Sequence, residues 1–286
     1  MSDDLTFSKA SAADLPYFQR IWEGAYPGDS LYAEIFFKQL PYLGEGYIAR
    51  YMGEACSMFF ALKNYRYHTG DCVFPSVYLY ALGTLPGYRG RGCGSRMTDF
   101  AAGSSYADGA GHVFLAPGSA SLRSWYHERN GAQNIFYHRV VQTGQPYAEG
   151  RIREITPETY VSLRRQLLKG TDHMEIPLSA VKLQADFCRA AGGGLYSIEV
   201  QGHTGICLGD AEDGHLLLRE LLCPEADPAF AAGCMMHHLS CRSAAARTPA
   251  IWHREQGLIE PDCMLLPGGA ALHADTPYPY WGFLMD

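Results

Sequence analysis

Long apolar runs are missing from this 286-residue chain: none reaches the roughly 18 residues that a bilayer-spanning helix needs. Its start, Met1-Ser2-Asp3-Asp4, is acidic and offers neither the basic nor the apolar region of a secretory leader. Both absences lead to the expectation of a cytoplasmic protein with no membrane partner. Paired cysteines are missing too. Nine cysteines lie scattered from Cys56 to Cys263 with no C-x-x-C among them, which argues for reduced, mostly buried thiols and against a disulfide framework or a metal site. No glycine-rich stretch ends in Gly-Lys-Ser/Thr, and Gly-x-Gly-x-x-Gly does not occur, so neither a Walker A loop nor a dinucleotide fingerprint is encoded.

Positive charge is scarce in the second half. Residues 151–286 hold 11 Lys+Arg against 17 Asp+Glu, whereas residues 1–150 hold 12 against 13. Such a field repels nucleic acid and suits a cationic small molecule or peptide amine as partner. A homo-oligomer is left open. With 47% apolar residues the chain can bury real cores, and its length is comfortable for two domains, placed at residues 1–145 and 151–286.

What is present is concentrated between Val77 and Phe100. The apolar run Val77–Leu82 reads as a strand, Gly83-Thr84-Leu85-Pro86-Gly87-Tyr88 as a turn, and Arg89-Gly90-Arg91-Gly92-Cys93-Gly94-Ser95 as a glycine-rich loop opening a helix. Glycines leave main-chain N–H groups unobstructed, and the positive end of the helix adds to their pull on an anion. Arg89 and Arg91 add charge. A phosphate pocket is the expected product.

The match to R-x-x-G-x-G (Arg89, Gly92, Gly94) behind Leu-Gly-Thr-x-Pro-x-Tyr-Arg (Leu82 to Arg89) resembles the coenzyme A pyrophosphate loop of the GNAT superfamily of acyl-CoA-dependent N-acyltransferases. The resemblance implies an α/β (α+β) fold: a mixed, mostly antiparallel sheet flanked by helices, with two splayed central parallel strands. It further implies acetyl-CoA as acyl donor, its pantetheine arm lying between those strands and bonding to main-chain groups of Leu82 and Thr84. Donor-binding residues would be Leu82, Gly83, Thr84, Arg89, Gly90, Arg91, Gly92, Cys93, Gly94 and Ser95. The segment Ser119–Gly131 resembles the family's fourth helix, where a tyrosine precedes a terminal glycine. Counting forward gives Tyr126 as the general acid for the departing thiolate, and counting back from Gly131 gives His127. Where many members carry a glutamate on the fourth strand, this chain has Tyr78, so the base is either a relayed water or a group such as Glu34, His127 or the terminal carboxylate of Asp286. A base or a desolvating cleft is required, because deprotonating an alkyl ammonium of pKa about 10 at pH 7 costs about 4 kcal/mol.

Around this centre, helices are expected near Leu15–Trp22 and over Leu31–Leu40, stopping at Pro41. Their aromatics (Phe18, Trp22, Tyr26, Tyr32, Phe36, Phe37, Tyr42) are read as core or as a substrate wall. Glu45–Arg50 and Ala55–Lys63 form a hairpin, Asn64–Asp71 is a polar loop, His112–Ala116 is a fifth strand, and Ile135–Gln142 is a sixth that completes the first domain.

From Arg151 onward the order of strand, two helices, then strands repeats that of the first domain. The stretch Leu222-Cys223-Pro224-Glu225-Ala226-Asp227, where a second coenzyme loop would fall, has no glycine and adds carboxylates. The second domain therefore reads as a degenerate GNAT-like unit that binds no coenzyme A. Its aromatic tail, Thr276 to Asp286, suits burial and resembles the ending of multi-part bacterial GNAT proteins. Cys234, His237, His238 and Cys241 share a helix face yet spread over about 10 Å, too far for one metal ion. The function expected is N-acetyl transfer to a primary amine of a small molecule or peptide. The alternative is a coenzyme A-binding regulatory protein without efficient catalysis.

Overall fold

A computed structural model describes residues 4–272 and 277–283. In chain order the first half contains β1 (Leu5–Lys9), α1 (Leu15–Ala25), α2 (Ser30–Leu43), β2 (Gly44–Tyr51), β3 (Glu54–Thr69), β4 (Cys72–Thr84), α3 (Cys93–Ala107), β5 (His112–Leu115), α4 (Ala120–Asn130), β6 (Gln133–Asn134) and β7 (Tyr137–Thr143). The second half follows with β8 (Arg151–Glu154), α5 (Pro157–Leu167), β9 (His173–Glu175), α6 (Leu178–Ala190), β10 (Gly194–Val200), β11 (His203–Glu212), β12 (His215–Leu222), α7 (Pro228–His238), β13 (Ser243–Pro249), β14 (Leu258–Pro261) and β15 (Met264–Leu265).

Local chemistry accounts for many of these boundaries. Phe18, Ile21 and Trp22 form the buried stripe of α1 at helical spacing. Ser119 caps α4 by accepting the Leu122 N–H at 3.2 Å, and Gly131 ends it in the left-handed region. Thr156 and Pro157 start α5 in the same manner. Met52 and Gly53, both at positive φ, close the β2–β3 hairpin.

Two sheets result, and they share one plan. The first runs β1-β2-β3-β4-β5-β15-β6, the second β8-β10-β11-β12-β13-β7-β14. In each, the fourth and fifth strands are parallel (β4 with β5, β12 with β13), and the strands before them are antiparallel. The sixth position is exchanged between the halves. Strand β7 pairs with β13 in the second sheet, so the strand expected over Ile135–Gln142 does not complete the first domain. The short β15, from the far end of the chain, sits beside β5 instead. Hence the sheets do not divide at residue 145. A hydrophobic strand registers wherever an edge is open, and the linker sequence gives no sign of which edge that is.

The polar stretch Asn64–Asp71 is also not a loop. Strand β3 carries on to Thr69 with Tyr65 and Tyr67 buried, because β9 from the second half pairs with Arg66–His68 and buries that hairpin. Helix α2 likewise continues through Pro41 to Leu43.

One apolar cluster runs through both halves, from Phe18 and Trp22 on α1 to Val181 and Leu183 on α6. The tail completes it. Trp281, 1% exposed, packs on Tyr65, Tyr78, Phe114 and Phe136 at centroid distances of 5.1–5.7 Å. Its carbonyl accepts from Arg164 Nη2 at 3.1 Å, while Arg164 Nε pairs with the buried Glu220 at 3.0 Å and Nη1 donates to the Met174 carbonyl at 2.7 Å. The Tyr160 hydroxyl donates to the same oxygen of Glu220, Oε2, at 2.6 Å. A single guanidinium thus ties α5, β12, β9 and the tail together.

Candidate active site

Strands β4 and β5 are paired only from Ser76↔His112 to Leu79↔Leu115, although β4 runs on to Thr84. Beyond Leu79 the two diverge. A bulge sharpens the bend: Ala81 and Leu82 stand opposite Phe59 alone, with Ala81 at φ +55°. An alanine there is strained, and such strain persists where the surrounding packing fixes it.

The divergence opens a cleft of about 900 Å³ bounded by α1, β4, the loop into α3, the end of β5 and α4. On its donor side Gly90 and Gly92 both adopt φ +76°, which explains glycine at those positions. Gly92 is the N-cap of α3 and supplies no side-chain acceptor, so the first N–H groups of that helix face the cleft uncapped. Gly94 is small for a different reason, since an added Cβ would lie 3.3 Å from Trp125 and 3.6 Å from Leu82. Arg89 lines the cleft with its Nε on the Thr84 carbonyl at 3.1 Å, and the exposed Arg129 adds a second cation from the last turn of α4.

Of the residues expected to hold a donor, Leu82, Thr84, Arg89, Gly90, Gly92, Cys93, Gly94 and Ser95 line this cleft. Gly83 and Arg91 do not. Gly83 lies on the opposite strand face, where a Cβ would meet Met58 and Ala25 at 3.0–3.1 Å. Arg91 turns outward to stack over Tyr51 and Tyr88, 5.1 and 5.9 Å from their centroids. Two carbonyls expected to receive the pantetheine arm already have donors: Leu82 accepts from the Tyr26 hydroxyl at 2.7 Å and Thr84 from Arg89. Each keeps a second lone pair.

Tyr126 is 7% exposed, lines the cleft, and packs edge-on against Trp125. Burial, with the Tyr26 phenol nearby, pushes its pKa well above that of a free phenol. It therefore keeps its proton throughout the physiological range. His127 faces away, exposed, with Nδ1 3.0 Å from the Ala132 carbonyl. Glu34 is exposed on α2 and does not line the cleft. Asp286 lies outside the described residues.

Four residues that line the cleft had no motif to announce them: Asp29, Trp125, Arg129 and Tyr80. Tyr26 and Trp22, expected as core or substrate wall, do line it, whereas Phe18, Tyr32, Phe36, Phe37 and Tyr42 do not. Asp29 is the one carboxylate among the lining residues, exposed at the start of α2, and it helps burial raise the pKa of Tyr26. Cys234 and Cys241 are buried while His237 and His238 are exposed, and no three His, Cys, Asp or Glu residues converge among the described residues. No helix among them is long and apolar enough to cross a membrane.

A splayed parallel pair, a bulged strand and an uncapped, glycine-bounded helix N-terminus thus meet in one cleft, whose helix end suits an anion. The Acetyltransferase (GNAT) domain family matches residues 6–130, somewhat under half of the chain. No curated protein matches the chain. Among solved structures it is similar to a probable N-acyltransferase of Enterococcus faecalis V583, with 12% identity and a TM-score of 0.68 over 91% of this chain and 71% of that one. A GCN5-related N-acetyltransferase from Kribbella flavida follows at 14% and 0.65, covering 92% and 70%. Eis1 from Mycobacterium abscessus gives 13% and 0.61, covering 92% and 73%. At these identities the likeness establishes the fold, which extends over both halves.

Proposed function

We propose that the protein is an N-acetyltransferase that moves the acetyl group of acetyl-CoA directly to a primary amine of a small molecule or peptide. The observation that carries this reading is that the glycine loop, the splayed end of β4 and Tyr126 all face one cleft. Acetyl-CoA would supply the activated thioester. The uncapped N-terminus of α3, Arg89 and Arg129 suit its phosphates, and the slot between β4 and β5 suits its extended arm.

Each chemical need then has a candidate among the chain's residues. Main-chain N–H groups at the Ala81–Leu82 bulge polarise the thioester carbonyl, as fixed dipoles that need no reorganisation. The amine nitrogen forms its bond to the carbonyl carbon as the carbon–sulfur bond breaks. Tyr126 gives its proton to the departing sulfur and is restored by a proton that the nitrogen sheds. One further proton, lost when the ammonium becomes neutral, goes to solvent. Tyr78, packed between Tyr65 and Trp281, holds the floor of the cleft and is no base at neutral pH.

Thiol release from acetyl-CoA in the presence of an amine panel tests the proposal. Turnover is expected, and Tyr126→Phe should lower kcat by about 100- to 1,000-fold with little change in KM for acetyl-CoA. Tight binding of acetyl-CoA with no turnover on any amine would contradict it.

A further inference from the structure

The two walls of the cleft differ in chemistry. Glycines and two arginines face the donor side. The opposite wall, from α1 and the inner face of β4, is aromatic, with Asp29 at its rim. Its rings form a connected cluster, with Trp22 and Tyr78 nearly buried and Tyr26 and Tyr80 partly open: the Trp22 centroid lies 5.3 Å from Tyr26 and 6.3 Å from Tyr80, and Tyr80 lies 6.2 Å from Tyr78. The polar tip of Tyr26 is already committed to the Leu82 carbonyl. What this wall presents is mainly ring surface, with one indole N–H, Trp22 Nε1, that has no hydrogen-bond partner among the described residues, and one anion at its rim.

The charge count is equally specific. Asp29 is the one carboxylate among the lining residues, and Arg89 and Arg129 are the cations. An ammonium entering the cleft is drawn to Asp29 and repelled from the donor wall until the donor's phosphates neutralise it. A second ammonium on the same molecule would find no carboxylate among the lining residues. Flat apolar groups, by contrast, stack on such rings without needing polar partners.

Resting on the N-acetyltransferase reading, we infer that the acceptor is a monocationic primary amine carried on an aromatic body. Its ammonium pairs with Asp29 and its ring lies on the wall made by Trp22, Tyr26 and Tyr80. Asp29 holds the nitrogen at the open rim, where its first proton is lost to solvent. The neutral amine then meets the carbonyl held at the bulge. Asp29 acts here as a specificity-determining residue.

The test compares 2-phenylethylamine and tryptamine with spermidine, kanamycin and a lysine-bearing peptide, using the full chain and saturating acetyl-CoA. The arylalkylamines should exceed the others at least 10-fold in kcat/KM. Asp29→Asn should lower kcat/KM for 2-phenylethylamine at least 10-fold, chiefly through KM, and leave the calorimetric Kd of acetyl-CoA unchanged. Trp22→Leu, which keeps the charge and removes a ring, should raise KM for tryptamine more than for spermidine. A preference for spermidine, kanamycin or the peptide, or an Asp29→Asn protein that matches the parent, would overturn the acceptor assignment while leaving the transferase reading in place. Absence of thiol release with every amine, despite acetyl-CoA binding, would overturn both.

Discussion

The two halves of the chain share a strand order and part company at one turn. In the first, β4 passes to α3 through a loop whose N-cap, Gly92, has no side chain, so the positive end of the helix stays open. In the second, β12 passes to α7 through Leu222–Asp227, and Asp227 Oδ1 accepts the Phe230 N–H at 2.9 Å while Oδ2 takes Gln256 Nε2 at 2.9 Å. Both helix ends attract an anion, and the second has been given one of its own. Space differs as well. Residues 250–257 lie over that turn, fixed by the buried Arg139, which donates to the carbonyls of Ala250, Trp252 and Gln256 at 2.8–3.1 Å. One topology thus makes a ligand cleft or a packed scaffold according to a glycine, a carboxylate and a covering segment.

The largest effect expected from disturbing this arrangement lies at the seam between the halves. Arg164→Met leaves Glu220 buried without its cation and frees the tail, which should cost about 3–5 kcal/mol. A fall in the denaturant midpoint would show it, and an unchanged midpoint would mean that the tail is held elsewhere. At the same seam, burial and the nearby Arg164 depress the pKa of His173 to about 4. An unfolded histidine titrates near 6.5, so between those values the unfolded state binds more protons. The contribution is full above pH 6.5 and lost as pH falls to 4, about 3 kcal/mol in all. His173→Gln should flatten the stability profile across that window relative to the parent.

Converting the first half toward the second is the next step down. Gly92→Asp places a carboxylate on the N-terminus of α3 and strains a left-handed position that Asp227 on α7 does not share. The two together should weaken acetyl-CoA binding by about 30-fold or more, roughly 2 kcal/mol. The converse change is smaller. Asp227→Ala removes a cap at a cost of about 1 kcal/mol and creates no donor site, because residues 250–257 still cover the turn.

Legibility followed the range of the interactions. Gly90, Gly92 and Gly94 were readable because a helix end and its approach are local. The helix over Ser119–Gly131, with its terminal Gly131, was readable for the same reason. The exchange of β7 and β15 was not, since pairing Ala245 with Gln142 depends on an edge left open about a hundred residues away. Nor was the length of β3, whose polar end becomes a strand only when β9 docks on it. Asp29 and Arg129 look like ordinary surface charges until α1 and α4 are folded onto the end of β4. Of the ten donor residues expected, Gly83 and Arg91 fall off the cleft because strand alternation and a tyrosine pair turn them away. In the second half, the missing glycines and added carboxylates of Leu222–Asp227 were legible, while the role of Arg139 in filling the space was not.

The central claim is that one half binds the donor and the other cannot. Calorimetric titration of the intact chain with acetyl-CoA tests it directly, run in parallel on Gly92→Asp. The account predicts one site per chain that is lost or greatly weakened in the variant. Two equivalent sites, or one site that the variant leaves untouched, would contradict it.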